Sequence, residues 1–472
     1  MTTKLPSDLK HVYLIGIAGI GMSALARYFM QTGVRVSGYD RDRSELAKQL
    51  EGEGAGIHYV DDVQLIPSDI DLVVYTPAVP AAHSELTELR ETKSPVIKRS
   101  EVLGMLSREK RCIAVAGTHG KTTTSAMIAH ILKDCGLDCT AFMGGIVVDF
   151  KGNFTYGDSD WIVVEADEYD RSFLQLTPEV AVITSMDPDH LDIYGNYEEL
   201  TSTFMRFMNQ VADNGCILIH SDVVNAIPEV KRDTFFESLS ARNVGIVIYG
   251  EKGHLELRKI ENAPGHVTFS YWNALSSDDH TAKLSMPGRH NVENAIAALG
   301  VAYVLDETQQ YEASVPQECA LKAISGFRGI KRRFEIIHAS EQIVVIDDYA
   351  HHPREIEAAV NAAAEFYRGK QITGVFQPHL YSRTKDLYKE FGKALSALDK
   401  VVLVEIYPAR ELPMEGVSSE LIFDEVENQF KYLTVKDELT GLLTSLDPEV
   451  LLFLGAGDLD RKIPEIVEQL IK

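Results

Sequence analysis

The chain has 472 residues, of which 45% are hydrophobic and 25% are charged, a composition that supports large cores and excludes a disordered chain. Its net charge of −24 argues against a nucleic-acid-binding protein, which needs clustered Lys and Arg, and against docking on an anionic membrane. At about 150 residues per domain, the length predicts two to four domains.

The five cysteines are scattered, odd in number and without a CxxC pair. This arrangement argues against a disulfide framework and against a zinc ribbon, and it indicates a reducing, cytosolic compartment. An apolar N-terminal stretch, residues 12–26, ends after 15 residues, whereas a helix that spans a bilayer needs about 20. We therefore expect neither membrane insertion nor a signal peptide.

Short apolar runs alternate with helical patterns along most of the chain, which is typical of βαβ units with parallel sheets. A strand, a turn and a helix begin anew at residues 11–40, 112–136 and 342–366. The less regular stretch 222–284 contains two further predicted strands, VGIVIYG and HVTFSYW, in what we expect to be a peripheral part of the middle region.

Two charged segments indicate the domain boundaries. Residues 107–111, SREKR, are typical of a linker, and the basic segment 325–335 carries two glycines. The sequence therefore predicts three α/β domains: a Rossmann-like domain over 1–107, a P-loop ATPase-like domain over 108–328 and a second Rossmann-like domain over 329–472.

GIAGIG, residues 16–21, follows a predicted strand and opens a predicted helix, which is the setting of dinucleotide-binding loops. The G-x-G-x-x-G pattern needs a middle glycine where this chain has Ala18, so Gly19 would have to allow the close approach of a phosphate. We predict a diphosphate at the N-terminus of a helix that begins near Met22, with Asp40 meeting a ribose. A tight turn whose glycines serve packing alone is the alternative.

GTHGKTT, residues 117–123, carries the Gly-Lys-Thr end of a P-loop, but its first glycine lies two residues later than the strict motif requires. A predicted buried strand precedes it and an apolar helix, predicted over 123–132, follows it. Backbone N–H groups of such a loop surround phosphate oxygens, its lysine reaches the terminal phosphates and the next hydroxyl ligates Mg²⁺. Lys121 and Thr122 take these two roles.

Two further predicted strands end in acidic residues. WIVVEADE presents Glu165, and VAVITSMDPDH presents Asp187, Asp189 and His190. In an open parallel sheet, ligands gather outside the carboxyl ends of the strands, where acids can hold Mg²⁺ and neutralise a transferred phosphoryl group. The sequence predicts such a site, with solvated strand caps as the alternative; chemistry favours His190 least, because Mg²⁺ prefers oxygen.

Eight ordered motifs resemble the Mur ligase family over nearly the whole chain: GTHGKTTT, EADEYDRSF, DPDHLDIYG, GRHNVENAIAA, KRRFE, DDYAHHPREI, FQPHLYSRT and FLGAGDLD. The loop GIAGIGMSALA is similar to that of the family member that adds alanine. The resemblance implies a cytoplasmic, ATP- and Mg²⁺-dependent step of peptidoglycan precursor synthesis. In it the carboxylate of UDP-N-acetylmuramate is phosphorylated, and L-alanine then displaces phosphate from the acyl phosphate.

The resemblance also implies roles for individual residues. The ATP phosphates would contact Gly117, Thr118, His119, Gly120, Lys121, Thr122 and Thr123. The adenine side would contact Asn291 and Asn294, whose alternative role is helix N-capping. The catalytic group would comprise Lys121, Glu165, His190, Arg333 and Asp348, the last two completing the nucleotide site. The metal would be held by Thr122, Glu165 and His190.

Two further sets complete these expectations. The UDP-sugar would contact Gly16, Ile17, Ala18, Gly19, Ile20, Gly21, Asp40, Thr76 and Arg99. The amino acid would contact Tyr349, His351, His379 and Arg383, with Arg383 pairing its carboxylate. The segment His351-His352-Pro353 is equally typical of a helix start with proline in the first turn.

Other functions stay open at this point. Within the family, a member that adds a preformed peptide to the same UDP-sugar, or one that acts on folate, shares most of these motifs. A nicotinamide-dependent oxidoreductase would use the first glycine loop but leaves the P-loop, Glu165 and His190 unexplained. A nucleotide-dependent switch protein would use the P-loop without ligation. We expect small-molecule partners, no nucleic acid, and a monomer or a homodimer.

Overall fold

The computed structural model of the chain describes residues 4–6, 8–188, 191–263, 265–308, 311, 313–409 and 411–471. The chain forms two compact units. The first comprises Met1–Lys259, Phe269–Ala282 and His290–Phe327, and the second comprises Ile260–Thr268, Lys283–Arg289 and Arg328–Lys472. No helix among the described residues combines the length and the apolar character needed to cross a bilayer.

The first sheet is parallel throughout and has the strand order β3-β2-β1-β4-β5. Its strands are β1 (His11–Ile15), β2 (Arg35–Tyr39), β3 (Gly56–His58), β4 (Leu72–Tyr75) and β5 (Val96–Lys98). The helices between and after them are α1 (Ile20–Gln31), α2 (Glu45–Glu53), α3 (Ser84–Arg90) and α4 (Arg99–Glu109). The order reverses between β1 and β4, as in doubly wound nucleotide-binding sheets.

Helix α1 forms because its apolar residues recur at helical spacing. Met22, Leu25, Ala26 and Phe29 are buried on one face, which is the stripe expected of a helix packed on a sheet. Gly19 is the N-cap residue and supplies no capping side chain, so the first N–H groups of α1 have no side-chain acceptor there. The helix begins two residues before the predicted start.

The second sheet has the order β15-β14-β13-β12-β11-β10-β6-β9-β7-β8. Its strands are β6 (Arg111–Ala116), β7 (Thr140–Val147), β8 (Gly152–Thr155), β9 (Trp161–Glu165), β10 (Val180–Ile183), β11 (Cys216–His220), β12 (Gly245–Gly250), β13 (Leu255–Ala263), β14 (His266–Asn273) and β15 (Asp278–Leu284). Neighbouring helices are α5 (Lys121–Asp134), α6 (Leu191–Tyr194), α7 (Tyr197–Met208), α8 (Ser221–Ala226), α9 (Glu229–Ser240), α10 (Arg289–Glu307) and α11 (Gln317–Gly326). The two strands predicted in the less regular stretch are β12 and β14.

The third sheet has the order β16-β17-β21-β18-β19-β20, with β16 antiparallel to β17 and the other pairs parallel. Its strands are β16 (Glu335–Ala339), β17 (Val344–Asp348), β18 (Ile372–Phe376), β19 (Lys400–Leu403), β20 (Lys431–Leu433) and β21 (Val450–Leu454). Its helices are α12 (Pro353–Phe366), α13 (Tyr381–Leu395), α14 (Glu420–Glu425), α15 (Leu439–Leu446) and α16 (Ile463–Leu470).

Two sequence-based expectations are wrong. The charged run 107–111 is no loop: α4 continues to Glu109 and β6 begins at Arg111, because Ser107 lies on a buried face of the helix. The expectation of no disulfide framework overlooks one disulfide, since Cys135, just after α5, is joined to Cys319 of α11 with their Cα atoms 5.8 Å apart. Cys112, Cys139 and Cys216 are free and buried.

Candidate active site

The first glycine loop lies where the order of the first sheet reverses. Gly16 follows β1 and Thr76 follows β4, and the register of these strands pairs Ile15 with Tyr75. Gly16 has φ +83°, and a Cβ on it would lie 3.1 Å from Thr76 Cγ2, so only glycine fits without strain. The crevice at such a reversal is the usual ligand site of an open parallel sheet. The structure thus brings two residues predicted to bind the UDP-sugar together.

Arg99 reaches the same loop from the start of α4. A Cβ on Gly21 would lie 2.6 Å from its Nη1, so the third glycine makes room for a guanidinium beside the N-terminal turn of α1. A helix N-terminus and a guanidinium both attract a diphosphate. The structure therefore places Arg99, one of the predicted UDP-sugar residues, in a position suited to that role.

The backbone of the first glycine loop is bound to neighbouring elements. The N–H groups of Gly16 and Ile17 donate to the carbonyl of Tyr39, and Ala18 donates to Asp40 Oδ2 at 2.8 Å. The carboxylate predicted to meet a ribose thus accepts a hydrogen bond from the loop itself. Of the remaining loop positions, Gly19 has an ordinary φ of −63° and Ile20 is the first residue of α1.

The second glycine loop connects β6 to α5, in the middle of the second sheet. Gly117 has φ +148°, and a Cβ on it would overlap Thr184 Oγ1; Gly120 has φ +79°, and a Cβ on it would lie 2.7 Å from Asn294 Oδ1. Both glycines are therefore required by close approach and by backbone conformation. Gly120 is also the N-cap of α5 and leaves that helix without a capping side chain, which is the condition for an anion site at a helix N-terminus.

The segment after β10 holds this loop in place. His119 donates its N–H to Ser185 Oγ at 2.7 Å, and the Thr184 hydroxyl donates to the His119 carbonyl. Thr118 Oγ1 accepts the N–H of Asp187 at 3.0 Å. These contacts support the loop from the neighbouring parallel strand.

Lys121 opens α5 and points toward a buried carboxylate. Its Nζ donates to the Gly117 carbonyl at 2.7 Å and lies 2.9 Å from Glu168 Oε1 and 2.7 Å from Oε2. The Glu168 side chain is 1% exposed and that of Lys121 is 14% exposed. Burial raises the pKa of Glu168, while the charge and hydrogen bond of Lys121 oppose that rise. The predicted catalytic lysine is therefore already fixed by an ion pair.

Two of the three predicted metal ligands, Thr122 and Glu165, lie near the carboxyl ends of adjacent strands in the second sheet. Glu165 ends β9 opposite Val115 of β6, and its Oε2 accepts the N–H of Gly144 at 2.7 Å. Thr122 is buried in the first turn of α5. A hydroxyl and a carboxylate are hard oxygen donors, which suit Mg²⁺, an ion that usually keeps several waters. Of the other candidates, Asp187 follows β10 and its N–H donates to Thr118 Oγ1, whereas Asp189 and His190 lie outside the described residues.

Asn291 and Asn294 lie in α10, which begins at Arg289, and both are buried. Neither takes the N-cap position, so the capping alternative is wrong for both. The Asn294 amide oxygen approaches Gly120, which places this residue beside the P-loop, as the predicted ATP contact requires.

Asp348 ends β17 in the second unit. Its two carboxylate oxygens accept the N–H groups of Phe334 and Ala350, at 2.7 and 2.8 Å. Burial raises its pKa to about 6, although these hydrogen bonds and the charge of Arg333 act in the opposite direction. Arg333 itself is exposed and lies between two residues with positive φ, Arg332 at 59° and Phe334 at 49°, a conformation that costs energy in non-glycine residues.

The four residues predicted to bind the amino acid lie around one end of the third sheet. The rings of Tyr349 and His351 are 5.3 Å apart, and those of His351 and His379 are 6.2 Å apart. Arg383 lies in the first turn of α13, and within the described residues its buried Nη1 has no hydrogen-bond partner. A buried guanidinium nitrogen without an acceptor is suited to a ligand carboxylate.

His352 and Pro353 confirm the second interpretation of their segment. His352 is the N-cap of α12 and forms a capping box with Glu355, and Pro353 is the first helical residue. Burial lowers the pKa of His352, and the nearby charge of Arg383 adds to that effect even though Glu355 opposes it. A helix start and a cluster of ligand-binding side chains thus share one segment.

The sequence-based search missed three contributors to the second glycine loop and the third sheet. Glu168 lies in the same motif as Glu165, three residues later. Its position next to a predicted metal ligand could have indicated a role at the second loop. Ser185 follows β10 and has no chemical signal of its own. Arg332, which precedes the predicted Arg333, contacts other parts of the second unit. Its guanidinium lies 4.9 Å from the ring centre of Tyr349 and 3.2 Å from the Gly457 carbonyl.

Comparison with known proteins assigns the chain to a family. Three family models match in order: the catalytic domain of the Mur ligase family over residues 11–111, the Mur ligase middle domain over 115–302, and the Mur ligase glutamate ligase domain over 332–457. This chain belongs to the Mur ligase family. It is therefore an enzyme of the ligase class, and the predicted family and α/β fold class are confirmed.

Individual relatives of this Mur ligase match over its full length. It is 44% identical over 470 residues to the UDP-N-acetylmuramate–L-alanine ligase of Porphyromonas gingivalis, covering 98% of this chain and 99% of that protein. It is 43% identical to the enzyme of the same name from Cytophaga hutchinsonii, covering 98% and 97%.

Solved structures agree with the fold. The crystal structure of a UDP-N-acetylmuramate-alanine ligase from Thermotoga maritima matches with a TM-score of 0.79 and 30% identity, covering 97% of this chain and 98% of that one. A murein peptide ligase from Psychrobacter arcticus matches with a TM-score of 0.65 at 23% identity, covering 98% of each chain. At that identity, the second match concerns the fold alone.

Proposed function

We propose that this Mur ligase joins L-alanine to the carboxylate of UDP-N-acetylmuramate and hydrolyses ATP to ADP and phosphate in doing so. The observation that supports the proposal most strongly is the position of Lys121. It lies at the uncapped N-terminus of α5, in a glycine loop whose form suits phosphate binding. The names of the relatives that are about 43% identical over 98% of the chain supply the two other substrates. We assign the reaction to the cytoplasm, where ATP is available.

The first chemical step transfers the γ-phosphoryl group to the muramate carboxylate. A carboxylate oxygen attacks the γ-phosphorus, the bond to the β-phosphate oxygen breaks, and ADP leaves. The backbone of residues 117–123 orients the triphosphate, and Lys121 neutralises charge on the transferred group. Asn291 and Asn294 hold the adenine side, and we assign nucleotide contacts also to Arg333 and Asp348.

Thr122 and Glu165 fit Mg²⁺ through their oxygen donors, and we assign His190 to the same ion. When bound, the ion would neutralise negative charge on the triphosphate. Glu165 is prepared for this role, because the N–H of Gly144 fixes one of its oxygens at 2.7 Å. The buried Thr122 hydroxyl lies one residue after the lysine that contacts the transferred group.

The second step forms the amide. The amine of L-alanine attacks the acyl carbon, the bond from that carbon to the bridging oxygen breaks, phosphate leaves, and the amine loses a proton. Arg383 pairs with the carboxylate of alanine, while Tyr349, His351 and His379 surround the rest of the amino acid. The UDP part is held at the switch point of the first sheet by residues 16–21, Thr76 and Arg99.

The alternative within the family is the addition of a preformed peptide to the same UDP-sugar. The match to a murein peptide ligase has 23% identity and concerns the fold alone, so it does not support this alternative. Tyr349, at the amino-acid cluster, is exposed, and this exposure does not show whether a small or a large amine binds there. The names of the full-length relatives favour L-alanine.

A coupled phosphate-release assay tests the proposal. It would contain UDP-N-acetylmuramate, ATP and Mg²⁺ with each of the twenty amino acids in turn, and then with a tripeptide. We expect release to require the UDP-sugar and to be fastest with L-alanine. Faster release with the tripeptide would favour the alternative, and release with neither UDP-sugar nor amino acid would overturn ligation. All the residues assigned here lie in one chain, so the assay needs no choice between monomer and homodimer.

A further inference from the structure

The ammonium group of Lys121 makes two hydrogen bonds and an ion pair within the protein. Three oxygens surround it, namely the Gly117 carbonyl at 2.7 Å and the two carboxylate oxygens of Glu168 at 2.9 and 2.7 Å. A lysine has three N–H donors. Two of them make hydrogen bonds here, to the Gly117 carbonyl and to Glu168 Oε1, so the third can donate to a phosphate oxygen while Glu168 still holds the ammonium group.

The core anchors the backbone of Glu168. The hydroxyl of Tyr194 donates to the Glu168 carbonyl at 2.6 Å. A 3-10 helix over Tyr169–Gln175 follows directly, and its buried Phe173 stacks on Phe207 with ring centres 4.8 Å apart. The carboxylate that contacts Lys121 is therefore carried by a segment that the core holds in place.

This geometry separates ground-state binding from catalysis. The negative charge of Glu168 lies next to the Lys121 ammonium group, so it weakens the attraction that Lys121 offers to a bound triphosphate. The same carboxylate holds the ammonium at one point, and a donor that is held in place stabilises charge that develops in the transition state without reorganising. An interaction of this kind raises turnover at the expense of ground-state affinity.

We propose that Glu168 is a positioning residue for Lys121, which lowers the affinity for ATP and raises the rate of phosphoryl transfer. The part of this inference that concerns rate rests on the proposed ligase function. The part that concerns affinity needs only that the loop binds a triphosphate, so the two can fail separately.

The first experiment compares Glu168→Gln with Asp170→Asn. Both variants remove one acidic charge from the same segment, but Asp170 pairs at the surface with Lys98 at 3.1 Å. Calorimetry with AMP-PNP and Mg²⁺ gives the affinity, and the phosphate-release assay gives kcat. For Glu168→Gln we expect binding about 3 to 10 times tighter and kcat about 10 to 100 times lower. For Asp170→Asn we expect both values within about twofold of wild type, since exposed pairs contribute little.

Glu168→Asp keeps the charge but withdraws the carboxylate by one methylene. We expect its AMP-PNP affinity to stay within about threefold of wild type and its kcat to fall about tenfold, because charge is retained and positioning is lost. This variant decides the question if Glu168→Gln does not fold. Parallel weakening of affinity and kcat in Glu168→Gln, or an unchanged kcat in Glu168→Asp, would overturn the proposal, because a merely structural role lowers both values together.

The controls separate the two proposals. If wild-type protein binds AMP-PNP and Glu168→Gln binds it more tightly, but no amino acid supports phosphate release, the affinity part stands and the proposed function fails. If Glu168→Gln and Glu168→Asp both turn over L-alanine like wild type, the proposed function stands and the positioning role of Glu168 fails.

Discussion

The two glycine loops of this Mur ligase share a strand-loop-helix construction but differ in where their positive charge comes from. The first loop, between β1 and α1, contains no cationic residue. Arg99, at the start of α4, supplies the positive charge, because its guanidinium approaches Gly21. The second loop, between β6 and α5, carries Lys121 itself, and a buried carboxylate holds that lysine.

The difference matches two tasks. A diphosphate that stays intact needs only to be anchored, and a helix N-terminus with one neighbouring guanidinium suffices. A phosphoryl group that is transferred changes its charge distribution during the reaction, so a cation must be fixed where the charge develops. We therefore expect changes in the second loop to affect kcat or the KM for ATP, and changes in the first loop to affect the KM for the UDP-sugar.

Replacing Lys121 should give the largest effect. Lys121→Ala removes the cation that contacts the transferred group, and we expect kcat to fall at least about a thousandfold. Calorimetry with UDP-N-acetylmuramate alone should give wild-type affinity, because the first loop is untouched. Near-normal turnover of this variant would contradict the assignment of the second loop.

Gly117→Ala should weaken ATP binding strongly. The new Cβ would overlap Thr184 Oγ1 at a φ of +148°, a conflict that costs about 1 to 3 kcal/mol, so we expect the KM for ATP to rise about 10 to 100 times. Gly136→Ala is the matched control: its φ is +88°, but nothing lies within 4 Å of the new Cβ. This control should lose some stability and keep its KM for ATP. Equal behaviour of the two variants would show that the close approach to Thr184 is unimportant.

Gly21→Ala should affect the first loop alone. Its Cβ would lie 2.6 Å from Arg99 Nη1, and the flexible guanidinium would have to move. We expect the KM for the UDP-sugar to rise about tenfold, the equivalent of roughly 1.4 kcal/mol, while kcat and the KM for ATP stay unchanged. Gly52→Ala, with open space around the new Cβ, should change none of the three. A fall in kcat for Gly21→Ala would break the division of tasks between the loops.

The disulfide at the far end of α5 should affect stability and leave the P-loop unchanged. Cys135 lies about 20 Å along the helix from Lys121, so Cys319→Ser should keep the KM for ATP within about twofold. It should lower the free energy of unfolding by about 2 to 4 kcal/mol, measured by denaturant unfolding without reductant. Cys135→Ser should lose the same amount, and the double variant no more than either single one. Additive losses, or five free thiols in the untreated wild type, would count against the bond.

Sequence reasoning succeeded where signals are local. Glycines between a predicted strand and a predicted helix located both loops, and the acid that ends β9 was visible in its motif. It failed where partners are distant along the chain: Glu168 is 47 residues from Lys121, and Cys135 is 184 residues from Cys319. The charged run 107–111 suggested a loop because composition does not reveal that one face of α4 is buried.

Transfer of an oxygen isotope tests the central claim most directly. UDP-N-acetylmuramate with ¹⁸O in its carboxylate would be turned over with ATP and L-alanine, and the released phosphate analysed by mass spectrometry. If the carboxylate attacks the γ-phosphorus and the amine then displaces phosphate, each released phosphate carries one labelled oxygen. Phosphate that is released during amide formation without the label would contradict the acyl-phosphate route and, with it, the role assigned to the lysine-bearing loop.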